Sequence, residues 1–138
     1  MNNNDFKKLV VIRLKEAKVL LDAKAYEGAY YLAGYALEAG LKASICKQVK
    51  TYDFPDKKLA NACHTHNLEN LVGVAGLKQK LSDQENQDEE FKVNWAVARD
   101  WSETARYEVR IEKTRAEDLY NAITDEKSGV LRWLENYW

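Results

Sequence analysis

Proline is nearly absent from this chain: Pro55 is the only one in 138 residues. Loop-rich all-β folds and disordered linkers use proline freely, so neither is expected. Cysteine is scarce too. Cys46 and Cys63 show no framework spacing, which argues against a disulfide scaffold and for a reduced cytoplasmic protein with free thiols. Neither sign of charge is in excess, because 21 basic and 22 acidic side chains leave a net charge of -1. A dedicated duplex-binding domain carries a basic surplus, and none is visible here. No apolar run approaches the ~20 residues of a membrane span. Met1-Asn2-Asn3-Asn4-Asp5 has no signal-peptide pattern. Glycine-rich phosphate loops, nucleophile elbows, paired-cysteine motifs and zinc-binding His-Glu-x-x-His are all missing, so the common enzyme signatures are not available.

What remains is helical periodicity. Phe6, Leu9, Val10, Leu14, Ala17, Leu20 and Leu21 recur at spacings of three and four, which predicts a first helix from Asn4 or Asp5 to about Ala23. Tyr26, Tyr30, Ala33, Leu37, Leu41, Ser44 and Ile45 make the main face of a second helix, about Tyr26 to Gln48. Gly28, Gly34 and Gly40 each cost that helix about 1 kcal/mol against alanine. Close approach of another helix is a packing reason to tolerate the cost. Residues 52–63 read as a connection, extended before Pro55. A short helix follows over about Leu68 to Ala75. Ser82 with Glu85, and Thr114 with Glu117, match capping boxes for two further helices. The first of these runs to about Asp100, and either breaks around Trp101 to Ala105 or runs on into Arg106-Tyr107. The second has Gly129 as a kink or early end. The expected fold is all-α, an up-and-down bundle of four long helices and one short one, in a single domain over 1–138.

A few side chains carry chemistry, each with two readings. Arg13, on the first apolar stripe, either snorkels to water or partners an acid such as Glu38. Glu38 and Lys42 have the acid-first i, i+4 order of a helical ion pair. They follow Leu37 and Leu41, so the pair sits either on the surface or half-buried at a seam. Cys63-His64-Thr65-His66 lacks the second ligand pair of a structural zinc site, and no metal or cofactor is expected. Thr65 or Asn67 can cap the short helix. His66 beside them is either a satisfied neutral histidine or a binding and proton-transfer group. Trp101, Arg106 and Tyr107 either cross-link helices or clamp a phosphate while a ring stacks a base.

These segments resemble the HEPN domains (higher eukaryotes and prokaryotes nucleotide-binding). The likeness rests on Arg13-x-x-x-Ala17 and on Tyr30-Tyr31-x-Ala33-x-Tyr35-Ala36-Leu37-Glu38-x-x-Leu41-Lys42-Ala43. It also rests on Thr65-His66-Asn67-Leu68-x-x-Leu71 and on Arg106-Tyr107 before the last helix. It covers nearly the whole chain in element order. The resemblance implies a helical bundle that forms a homodimer with a cleft along its two-fold axis. Family members include metal-independent ribonuclease toxins, and inactive RNA- or nucleotide-binding modules that accompany a small nucleotidyltransferase. The ribonucleases carry an arginine separated from a following histidine by four to six residues. Lys57, Lys58, Leu59, Ala60 and Asn61 occupy those positions here, so the motif is absent.

The resemblance therefore points to a non-catalytic module for a nucleotide, single-stranded RNA or a partner protein such as a nucleotidyltransferase or antitoxin. Glu38, Lys42, His66, Arg106 and Tyr107 are its expected cleft residues. A divergent ribonuclease, using His66 and Arg106 brought together in space, and a purely structural oligomerisation protein are the alternatives.

Overall fold

The computed structural model describes residues 1–52 and 57–138, with side chains at 1–49 and 60–138. Eight α-helices and one 3₁₀ turn, with no strand, make up the described residues. The helices are α1 (Asn3–Asp22), α2 (Tyr26–Tyr52), α3 (Lys57–Ala62), α4 (Leu68–Val74), α5 (Lys78–Gln87), α6 (Glu89–Arg99), α7 (Lys113–Thr124) and α8 (Val130–Leu134). The 3₁₀ turn is Glu103–Tyr107. The all-α bundle expected from the periodicity is what the chain forms.

The first two helices form the hairpin that their apolar spacing predicts. Asn2 caps α1, where Asn4 or Asp5 was expected, and it makes a capping box with Asp5. At the turn, the Ala25 amide donates to Leu20 O (2.8 Å) and the Lys24 amide to Leu21 O (3.0 Å). This is the Schellman pattern, and it requires a left-handed residue, which Lys24 supplies at φ 63°. Helix α2 is central and packs against α1, α4, α7, α8 and the 3₁₀ turn. Ala29, Ala33, Ala36, Leu37, Leu41, Ala43 and Ile45 are all essentially inaccessible. Such a helix cannot show a one-sided pattern, which is why alanine and glycine surround its circumference. Close approach is real at Gly34, where an added Cβ would lie 2.0 Å from the Trp101 ring. Gly40 likewise faces Leu134.

The second half breaks more often than its periodicity suggests. Ser82 lies inside α5, which begins at Lys78, so the Ser82–Glu85 box caps nothing. The helix expected from Ser82 to Asp100 is two helices, divided at Asp88. Asp88 takes the Phe91 amide (3.1 Å) and starts α6. Thr114 is also not a cap, because α7 opens one residue earlier with Glu112 in the capping position. Of the two readings after α6, the break is what the chain adopts, with Ser102 opening the 3₁₀ turn. Gly129 ends nothing directly but sits in the capping position of α8, after a turn at Asp125–Ser128. The connection at Phe54-Pro55 lies outside the described residues. The 57–62 stretch, read as part of the connection, is the helix α3.

Candidate functional site

The site is built on α2. Glu38 is 4 % exposed, the one buried charged side chain among the described residues. A buried carboxylate needs partners, because desolvation penalises it heavily. Glu38 has two. Its Oε2 accepts from Lys42 Nζ at 3.2 Å, and its Oε1 lies 2.8 Å from His66 Nδ1. The pair that was open between surface and seam is a seam pair, with the Lys42 side chain only 17 % exposed. Arg13 is not part of it; it pairs with Glu16 on the outside of α1.

His66 reaches Glu38 because of what surrounds it in sequence. Asn67 caps α4 by accepting the Asn70 amide (2.9 Å), and Thr65 Oγ1 accepts the Asn67 amide (3.1 Å). Leu68, Leu71 and Val72 are buried and lock α4 onto the core. The turn between these anchors presents the imidazole to α2. A carboxylate only accepts hydrogen bonds, so Nδ1 carries the hydrogen and the neutral ring keeps its lone pair on Nε2. That ring remains 40 % exposed.

Tyr35, one turn before Glu38, continues the cluster. Its ring centroid lies 6.0 Å from His66, 5.4 Å from Trp101 and 4.9 Å from Tyr31. Burial, and then its contact with Tyr31, push the Tyr35 hydroxyl up to about 12. Arg106, on the 3₁₀ turn that Ala105 anchors in the core, lies 4.7 Å from the Tyr107 ring centroid. Its guanidinium holds its proton more firmly than usual, through Tyr107 first and also through Tyr31. Tyr107 is 71 % exposed.

The five expected residues thus form two groups. Glu38, Lys42 and His66 are directly bonded. Arg106 and Tyr107 stack on each other. Tyr31 and Tyr35 bridge the groups, and sequence reasoning did not count either among the expected cleft residues. Their spacing to Glu38, three and seven residues, was the available signal, since it places them along one side of α2. Tyr30 does behave as a core residue, with Arg115 over its ring at 4.5 Å and Glu108 held by Arg115 at 2.7 Å. The thiol of Cys63 is pushed up, chiefly by burial and then by nearby Cys46, while Lys42 opposes the shift.

Chemically, the cluster offers an exposed cation on an exposed ring, connected through Tyr31 and Tyr35 to an imidazole oriented by a buried carboxylate. No group of three or more His, Cys, Asp or Glu side chains that could hold a metal exists among the described residues. No described helix is long and apolar enough to cross a membrane. A surface groove of about 800 Å³ lies between α3, α4, α5 and α6, but none of the five residues lines it. Its wall is largely neutral, so size and chemistry separate here, and the chemistry favours the α2 cluster. Comparisons with protein-family models, curated proteins and solved structures find no match.

Proposed function

We propose that this chain is a HEPN-like module that binds a nucleotide or single-stranded RNA without cleaving it. The observation that supports this reading is the connection of Glu38, Lys42 and His66, through Tyr35 and Tyr31, to Arg106 beside the exposed Tyr107 ring. A guanidinium held by aromatic neighbours suits a phosphate, and an open tyrosine ring suits a base. The reading carries with it a two-fold homodimer in the cytoplasm. It also carries a role beside a nucleotidyltransferase or antitoxin in a two-component defence or toxin–antitoxin system.

Titration of the purified chain with nucleotides and a short labelled single-stranded RNA tests the reading. Low-salt binding is expected, weakened about tenfold by Arg106→Ala, which removes a charge-assisted hydrogen bond. Arg132→Ala, in an ion pair at the far end of the chain, leaves it unchanged. Absence of binding to both ligands at low salt removes the ligand reading.

One observation favours a ribonuclease as the second reading. His66 is oriented by Glu38 with Nε2 left over, as a general base requires. RNA cleavage in EDTA that disappears in both His66→Ala and Arg106→Ala supports it; cleavage unchanged in both variants rules out these assignments.

A further inference from the structure

Helix α1 turns an unusual face to solvent. Val11, Ile12 and Val19 are 67, 47 and 60 % exposed. Lys8 and Lys15 lie among them, and neither makes an ion pair with a described residue. Of the other charges of α1, Arg13 pairs with Glu16 and Lys18 with Asp22, Asp5 accepts the Asn2 amide, and Lys7 lies over the Trp138 ring. The surplus on this face is therefore two lysines, seven residues or about 10 Å apart along a helix.

The complementary pattern lies in a groove of about 490 Å³ between α6 and α7. Val93, 57 % exposed, and the half-buried Val97 supply its apolar surface. Glu89, Glu90, Asp118 and Asp125 rim it, and no basic residue lines it. None of the four carboxylates makes an ion pair with a described residue. Asp125 takes the Ser128 amide on Oδ2 (2.7 Å), which leaves its other oxygen available. Asp118 and Asp125 are also seven residues apart, so the helical rise sets them about 10 Å apart as well.

We infer that α1 of one copy docks in the α6–α7 groove of a second copy, head to tail. Lys8 and Lys15 meet Asp118 and Asp125, while Ile12 and Val19 cover Val93. Charge decides the arrangement. Pairing α1 with α1 brings unmatched lysines together, because the carboxylates of that face are already engaged. Pairing groove with groove brings four carboxylates to four. The heterologous contact cancels both surpluses. In a docked pair one copy still presents a free groove and the other a free α1, so the contact repeats into a ring or an open chain. No residue of the Glu38 cluster takes part, and this assembly is separate from a two-fold dimer.

Sedimentation velocity of the full chain at about 50 mM and about 500 mM salt tests the inference. The weight-average mass is expected to rise with concentration at low salt, beyond its high-salt value, and the rise is lost at high salt. Lys8→Glu/Lys15→Glu and Asp118→Lys/Asp125→Lys each abolish the rise alone. An equimolar mixture restores it, because the acidic helix face of one variant then meets the two lysines of the other's groove, and the native faces find each other. Circular dichroism confirms that both variants fold. A wild-type mass indifferent to salt overturns the proposal. So does a rise that persists in Asp118→Lys/Asp125→Lys, which places α1 against itself, and so does a mixture that fails to recover.

Discussion

Glu38 and Asp88 each tie together segments far apart in sequence, with opposite kinds of partner. Asp88 caps α6 through the Phe91 amide and accepts the Ser128 hydroxyl at 2.8 Å, forty residues further along. Ser128 is 6 % exposed, and its carbonyl is taken by Asn94 at 2.9 Å. These donors are neutral, and the bonds use them up. Glu38 instead holds an ammonium and an imidazole, and both keep bonding capacity after the bond to Glu38 is made. The two carboxylates teach that charge alone does not mark a site. What marks it is polar capacity left over at the edge of the solvent, and the α2 cluster has it where the Asp88 junction does not.

The comparison breaks most severely at Gly34. A methyl group there meets the Trp101 ring, which backs Tyr35, and an aromatic ring in a packed core cannot step aside. Gly34→Ala is expected to lower unfolding free energy by about 3 kcal/mol, read by urea denaturation. Loss under 1 kcal/mol means the ring is free to shift, and Tyr35 is then not firmly backed.

Glu38→Gln keeps the shape but turns one acceptor into a donor against Lys42 or His66. The expected loss is about 2 kcal/mol, below the full cost of a broken buried pair because Lys42 and His66 both reach water. An unchanged midpoint contradicts the buried bridge.

Ser128→Ala at the closed junction removes a single buried hydroxyl, for about 1 kcal/mol. It also changes the acid limb. The Ser128 hydroxyl, and then the Phe91 amide, hold the Asp88 carboxyl below its ordinary value. Its charged form is favoured in the fold, so the contribution is present above the free carboxylate pKa of about 4 and is lost as pH falls through the lowered folded value. In Ser128→Ala this acid-dependent part of the stability shrinks; an identical acid limb means that the hydroxyl does not govern Asp88.

The smallest effect lies at the alkaline end of the α2 cluster. Tyr35 favours its neutral form, so its contribution is full below the free phenol pKa of about 10 and is lost as pH rises through about 12. Phenolate absorbance of wild type and Tyr31→Phe is expected to show a Tyr35 transition slightly lower in the variant. The shift is small because burial outweighs Tyr31 as its cause.

Several parts of this molecule were legible in its residues alone. The apolar stripe of α1, the small-residue crowding of α2, the Asn67 cap and the break after α6 are local signals, and local backbone physics acts on them directly. The Ser82 and Thr114 boxes misled because an i, i+3 pattern is short and recurs by chance in a charged helix. Glu38 with Lys42 was legible because the helical period alone brings those positions together. Glu38 with His66 was not, since twenty-eight residues separate them and the α4 entry turn must fold back to join them. The division at Asp88 had a local sign that went unread, an aspartate able to cap through the Phe91 amide and followed by Glu89 and Glu90. The Ser128 hydroxyl that also holds Asp88 comes from forty residues further along. The sequence by itself determined the helical class, the central place of α2 and the candidate charges. Tertiary structure decided which of those charges are buried and which aromatics bridge them, because those outcomes depend on donors and rings supplied from far along the chain.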